Sequence, residues 1–237
     1  MPEEERRIGR VDPEEIKGER RSIMRREIVI VMVIMLLSWG SVGFAQDKGK
    51  VGLGVSVAKV NYSEDYYVLQ GVAVDTKPDE AVMFGIGFTH FLSEIFSLEF
   101  GVSQVSTDVE LSALGLSGDA GELQQVPLHI TMRLHFYTKP RVRIHVGLGA
   151  GYYFNSFDTN HNVIEAIYGP GAEVKVEDGF APHIGLTLEF LTSEHVALTM
   201  EVKHIWDQIK AEVNVPGYDV DLEANKVVIG VGCKYYF

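Results

Sequence analysis

Cysteine is almost missing: Cys233 is the single one in 237 residues, so no intramolecular disulfide can brace this chain. With no other Cys or His at ligand spacing, the thiol is expected to act as a small hydrophobe, and no metal site is expected around it. Positive charge is also in short supply. Lys and Arg total 21 against 33 Asp and Glu, a formal net charge of -12, which argues against nucleic acid as a partner. Up to Ala45 eight acidic residues balance eight basic ones, so the whole excess belongs to the remainder. Long apolar runs are lacking too. The longest, Ile28 to Leu37, falls well short of the roughly 20 residues that a spanning helix needs. Nor is there a Gly-x-Ser-x-Gly elbow, and none of the eight histidines is followed two residues later by serine, as in a family of barrel deacylases acting on lipid A. No catalytic residue and no cofactor is therefore expected.

What the chain does have begins with a leader. Met24-Arg-Arg starts basic, Ile28 to Leu37 is apolar, and Gly43-Phe-Ala45 puts small residues where a signal peptidase reads. We expect residues 1 to 45 to be leader and signal peptide, with 1 to 23 explained either by a start codon placed too early or by a long leader. Residues 46 to 237 form the expected mature domain.

Beyond Gln46 period-2 segments recur and no helical period of useful length stands out. Eight strands are predicted: Val51 to Asn61, Ala81 to Phe91, Ile95 to Ser106, Leu123 to Tyr137, Arg141 to Ser156, Gly179 to Leu191, His195 to Ala211 and Glu223 to Phe237. Their connections alternate strictly between tight ones (Leu92 to Glu94, Thr138 to Pro140, Thr192 to Glu194) and long polar ones (Tyr62 to Glu80, Thr107 to Glu122, Phe157 to Asp178, Glu212 to Leu222). That alternation, with both chain ends on the short-turn side, predicts an all-β fold: an eight-stranded antiparallel transmembrane β-barrel of the outer-membrane type. The acid-rich loops should face solvent.

One face of the strands is apolar, as in Val82, Phe84, Ile86, Phe88 and in Ile184, Leu186, Leu188, Phe190. The opposite face carries a polar set: Glu99, His129, Arg133, His135, Arg143, His145, His183, Glu189, Glu201 and Lys203. Three Arg or Lys and three Glu are few for a water-exposed surface but suit mutual pairing in a narrow lumen, so the apolar face is assigned to lipid. Aromatic girdles are expected at Phe91, Phe136, Tyr137, Tyr235, Tyr236 and Phe237 on the turn side and at Tyr62, Tyr152, Tyr153, Phe154, Phe157 and Trp206 on the loop side. Counting from the tight turn sets His135 opposite Arg143 or His145, and Arg133 near His145 or Gly147. A narrow path, a ligand pocket in one half and a plugged interior all fit an eight-stranded lumen. A metal held by His129, His135 and His145 is disfavoured, because residues six apart on a strand stand about 20 Å apart.

The segment Val126-Pro-Leu-His-Ile-Thr-Met-Arg-Leu-His-Phe-Tyr-Thr-Lys-Pro140, followed by Val146-Gly-Leu-Gly-Ala-Gly-Tyr-Tyr-Phe154 and the closing strand through Tyr235-Tyr-Phe237, resembles the OmpW family of small outer-membrane proteins. The resemblance runs over essentially the whole chain after Gln46. It implies a bacterial outer-membrane barrel that aids passage of small hydrophobic molecules, with sideways release between strands into the bilayer. Met83, Val105 and Tyr153 are the candidate apolar ligand lining on the loop side, above the charged half. The alternative is a plugged structural or adhesive barrel whose loops contact lipopolysaccharide, host or phage. Expected partners are outer-membrane lipids and lipopolysaccharide, a small hydrophobic ligand, and the barrel assembly machinery, for which Tyr235 and Phe237 are the candidate signal.

Overall fold

The computed structural model describes residues 50–237 except 64, 70–71, 114–115, 140 and 215–218. The expected leader, residues 1 to 45, lies outside the described residues. Eight strands close the barrel: β1 (Val51–Tyr62), β4 (Ala81–Phe91), β5 (Phe96–Ala113), β6 (Leu116–Lys139), β7 (Val142–Thr159), β9 (Gly179–Leu191), β10 (Val196–Ile205) and β13 (Lys226–Tyr236). Each pairs antiparallel with its neighbours in chain order, and β13 returns to β1 in a ladder from Gly52↔Tyr236 to Tyr62↔Lys226. No sheet edge of the barrel is left to lipid, which is the condition for a strand-built protein to cross a bilayer.

Two tight turns share a sequence and a geometry. In Leu92-Ser-Glu-Ile95 and Thr192-Ser-Glu-His195 the serine Oγ accepts from backbone N–H groups ahead of it, Phe96 at 3.1 Å and Val196 at 3.0 Å. The first two N–H groups of each turn then donate to the carbonyl of Phe96 or Val196. A short side chain thus satisfies the donors that a tight reversal leaves over.

The outward face is apolar and open: Phe84 is 65% exposed, Leu148 59% and Val231 53%. So large a bare hydrophobic surface belongs in lipid. Phe88 has the same phase but is buried, flanked in register by Leu53 and Phe100. Outward Phe136, Tyr235 and Phe237 mark the turn-side edge, and Tyr152, Phe180 and Trp206 the loop-side edge. Five expected girdle rings point elsewhere. Phe91, Tyr153 and Tyr236 are buried in the lumen, Tyr62 turns inward to Gln125, and Phe157 packs inward against Leu123 and Ile164; each shares the inward phase of its strand. The side chain of Tyr137 lies outside the described residues.

The long connections are more ordered than their polarity suggests. Tyr62 to Glu80 contains a hairpin, β2 (Asp65–Leu69) with β3 (Val72–Pro78), and β3 pairs with the upper part of β5. Thr107 to Glu122, expected as a loop, continues β5 and β6 as a long hairpin, because Val109 and Leu111 alternate with Asp108 and Glu110 and point to a common core. Phe157 to Asp178 holds the helix α1 (His161–Tyr168) and β8 (Val174–Val176), whereas no helix was expected. About two turns of amphipathic sequence, with Ile164 wholly buried, are too short to show as a periodic run. The seventh predicted strand breaks at Trp206 and Asp207; beyond it β11 (Gln208–Val213) leaves the barrel to pair with β8 and with β12 (Asp219–Glu223). Asp75, Asp79, Glu80, Glu173, Glu177 and Asp178 are exposed, as acid-rich segments outside the membrane should be.

Candidate functional site: a layered lumen

The inward faces stack into layers, taken here from the turn side upward. At the bottom Glu189, wholly buried, accepts from Tyr236 Oη at 2.6 Å and lies 3.5 Å from Arg143 Nη1 and 3.6 Å from His145 Nε2. Register places His135 opposite His145, their rings 4.2 Å apart, and His135 Nε2 meets Ser97 Oγ at 2.7 Å. Phe91 packs on both His135 and Tyr236. Gly52 makes room here, since a Cβ on it would come within 2.8 Å of the Tyr236 ring.

The next layer is ionic. Glu99 takes Arg133 on one oxygen and, on the other, Lys234 Nζ at 2.5 Å and Thr89 Oγ1 at 3.0 Å. Arg133 also reaches Glu201 at 3.2 Å, and Lys203 stands 3.5 Å from the other Glu201 oxygen. Arg133 is opposite Gly147, which leaves space for its long side chain. Paired like this, Glu99, Arg133 and Lys234 avoid the penalty of an uncompensated ion, several kcal/mol in order of magnitude.

Above the ion pairs, His129 and His183 meet edge to face at 6.1 Å, and His183 Nε2 lies 2.8 Å from Thr131 Oγ1. The backbone of Gly149 admits the His183 ring, for a Cβ there would sit 2.6 Å from Nε2. A cavity of about 70 Å³ lies at this level, its floor made by the ion pairs and its ceiling by Ala58, Met83, Tyr153 and Ile205. Val105 joins the same apolar cluster with Val60, Ala181 and Val228. The cavity reaches Ser103 and Pro127 in the wall. There the β5–β6 ladder skips: Val102 pairs with Leu128 and Val105 with Gln125, but no pairs join Ser103 and Gln104 to Pro127 and Val126. Proline has no N–H to give, so the gap sits where the sequence removed a donor.

A polar plate closes the cavity from above. Lys226 Nζ donates to Asp207 at 2.6 Å and to Gln125 at 2.8 Å, and lies 4.4 Å over the Tyr153 ring. Gln125 extends the plate to Asn155 at 2.9 Å and receives Tyr62 Oη at 3.3 Å. Beyond the plate, outside the membrane, a second cavity of about 80 Å³ is almost wholly apolar, lined by Val109, Leu123, Phe157, Ile164, Ile209 and Val213 among others. α1 and the β8–β11–β12 sheet form its outer wall.

All ten residues of the predicted polar set therefore face one lumen, at three successive levels. Met83, Val105 and Tyr153 lie together above them. His129, His135 and His145, disfavoured above as a metal-binding triple, divide: His135 joins His145, and His129 joins His183. Among the described residues no group of three or more His, Cys, Asp or Glu stands at metal-binding distance. Lys234 shares the inward face of the last strand with Gly230 and Gly232, as its phase predicts, and Lys226 and Tyr236, outside the predicted polar set, have the same phase. Asp207, Gln125 and Asn155 also lie outside that set; they carry no motif and acquire their role only from the plate.

The OmpW family profile matches residues 47–237. No curated protein matches the chain by sequence. Among solved structures, the outer membrane protein OprG from Pseudomonas aeruginosa superposes with a TM-score of 0.65 at 20% identity, covering 80% of this chain and 96% of that one. The outer membrane protein AlkL, determined in lipid bilayers, gives a TM-score of 0.60 at 18% identity, covering 83% and 94%. Neisserial surface protein A gives 0.52 at 10%, covering 79% and 96%. At such identities the likeness is one of fold. The matched profile, the closed barrel and the bare apolar belt together make this chain a member of the OmpW family, an eight-stranded β-barrel of the bacterial outer membrane.

Proposed function

We propose that the chain takes small apolar molecules from outside into the loop-side lumen and releases them sideways into the membrane beside Pro127. The carrying observation is the position of the lumen cavity, whose apolar ceiling adjoins the break in the β5–β6 ladder. The outer apolar chamber is the collecting vestibule, and the paired charges beneath close the straight route to the periplasmic side. An apolar solute would have to strip those ions of their partners to descend, whereas sideways it meets Ser103, Gln104, Val126 and Pro127 and no charge. Phe237 serves as the signal read by the barrel assembly machinery, and the exposed acidic rim faces the lipopolysaccharide layer. No enzymatic role is proposed.

The test is a bridge across the gap. Gln104 and Val126 stand opposite one another where the ladder skips, so Gln104→Cys with Val126→Cys, in a Cys233→Ala background, gives a reversible staple. Once oxidised, the barrel should take up the apolar fluorophore N-phenylnaphthylamine several-fold more slowly into proteoliposomes, and reduction should restore the rate. Unchanged uptake with the bridge fully formed would rule out release at this point. Adhesion that depends on the loops, with no uptake at all, would favour the structural reading.

A further inference from the structure

The ionic layer beneath the lumen cavity does not balance. Three cations, Arg133, Lys203 and Lys234, face two carboxylates, Glu99 and Glu201. Glu99 is saturated, with Arg133 on one oxygen and Lys234 and Thr89 on the other. Glu201 gives one oxygen to Arg133 at 3.2 Å and to Thr187 at 3.4 Å, leaving the other to Lys203 at 3.5 Å. The lower layer does not supply a counter-charge, because Glu189 is matched by Arg143. Lys203 is 6% exposed, lines the cavity, and among the described residues has only that one long ion pair. A buried ammonium so weakly matched is costly, and an anion arriving in the cavity relieves the cost.

The space above says what sort of anion. The ceiling is Ala58, Met83, Tyr153 and Ile205, with the ladder gap at Pro127 to one side. A fully hydrated inorganic ion gains nothing from such walls, while a single acid group on an apolar chain matches both ends of the cavity. Resting on the uptake reading above, we infer that the lumen cavity binds the carboxylate head of an amphipathic monocarboxylic acid. Lys203 is its counter-ion, and the chain lies along the Met83 and Tyr153 ceiling. His129 and His183 border the same head position and offer ring nitrogens to it.

The full barrel in lipid nanodiscs is titrated with octanoate and with methyl octanoate at pH 8, where the acid is ionised. Binding is followed by the amide resonances of Gly85, Thr199 and Gly230, which line the cavity and do not report partition into the bilayer. The acid should bind roughly tenfold more tightly than the ester, the order expected of one charge-assisted contact. Lys203→Met should bring the two within twofold of each other, and Lys203→Arg should keep the preference. Ester binding without preference for the acid in the wild type overturns the inference and leaves uptake of apolar molecules standing. A preference that survives Lys203→Met overturns the role of that lysine. If neither probe moves the cavity resonances, the uptake reading falls as well.

Discussion

Below His129 the lumen is filled by ion pairs, imidazoles and rings in mutual contact; from His129 upward the same eight strands enclose apolar side chains, a cavity and a break in the ladder. Strand geometry is common to both halves, so the difference lies in what alternates inward. Inward Glu, Arg and Lys on the turn side pair across strands and fill the lumen up to the cavity floor, with Lys203 alone held by one long contact among the described residues. On the loop side inward Ala, Val and Tyr make no ion pairs, and between them and the plate above and the charges below they leave a cavity. One half holds the barrel in register, and the other has room to receive a guest.

The comparison breaks most severely at Glu99. Removing it by Glu99→Ala strands Arg133 and Lys234 in a buried layer, and the expected loss is about 3–5 kcal/mol of unfolding free energy. Urea unfolding in lipid vesicles measures it. A loss below about 1 kcal/mol would mean the turn-side charges are hydrated and the lower lumen is not sealed.

A smaller effect should come from the plate between the two cavities. Lys226→Met with Asp207→Leu removes both members of the buried pair together, so no charge is stranded, and Gln125 keeps Tyr62 and Asn155. Stability should stay within about 2 kcal/mol of the parent, while uptake of an apolar fluorophore rises several-fold because the vestibule and lumen cavity become continuous. Slower uptake would show that the plate conducts solute rather than retards it. Phe91→Leu, a ring lost from the turn side, should leave uptake unaltered.

How far this was legible in the sequence divides along the same line. Period-2 alternation located all eight barrel strands, and the spacing of tight and long connections gave their order, because lipid on one side and a narrow lumen on the other impose opposite polarity at every step. The ten lumen residues followed from that phase. The outer region obeys another rule: β5 and β6 outside the membrane still alternate, yet their outward residues are Asp108 and Glu110, so the segment reads as polar loop. The plate was invisible for a different reason. Lys226, Gln125 and Asn155 come from three strands and Asp207 from the break after β10, and only the shear of the closed barrel brings them to one level. Pro127 was noted as part of a family motif, but its consequence, two missing ladder pairs, needed the register of β5.

The smallest effect separates location from chemistry. Lys59 Nζ meets Glu80 Oε2 at 2.5 Å, the same distance at which Lys234 meets Glu99, and the residue types are identical. The outer pair, however, lies on the lipid-facing side at the loop rim with side chains 52% and 67% exposed, whereas the lumen pair is at 9% and 7%. Water screens the first and competes for both its members, so Lys59→Ala should cost less than about 1 kcal/mol in the same urea assay. If it costs as much as Glu99→Ala, ion-pair geometry and not burial sets the strength of these contacts. The sealed half would then owe its stability to packing of the rings around His135 and Tyr236, with the charges adding little beyond register.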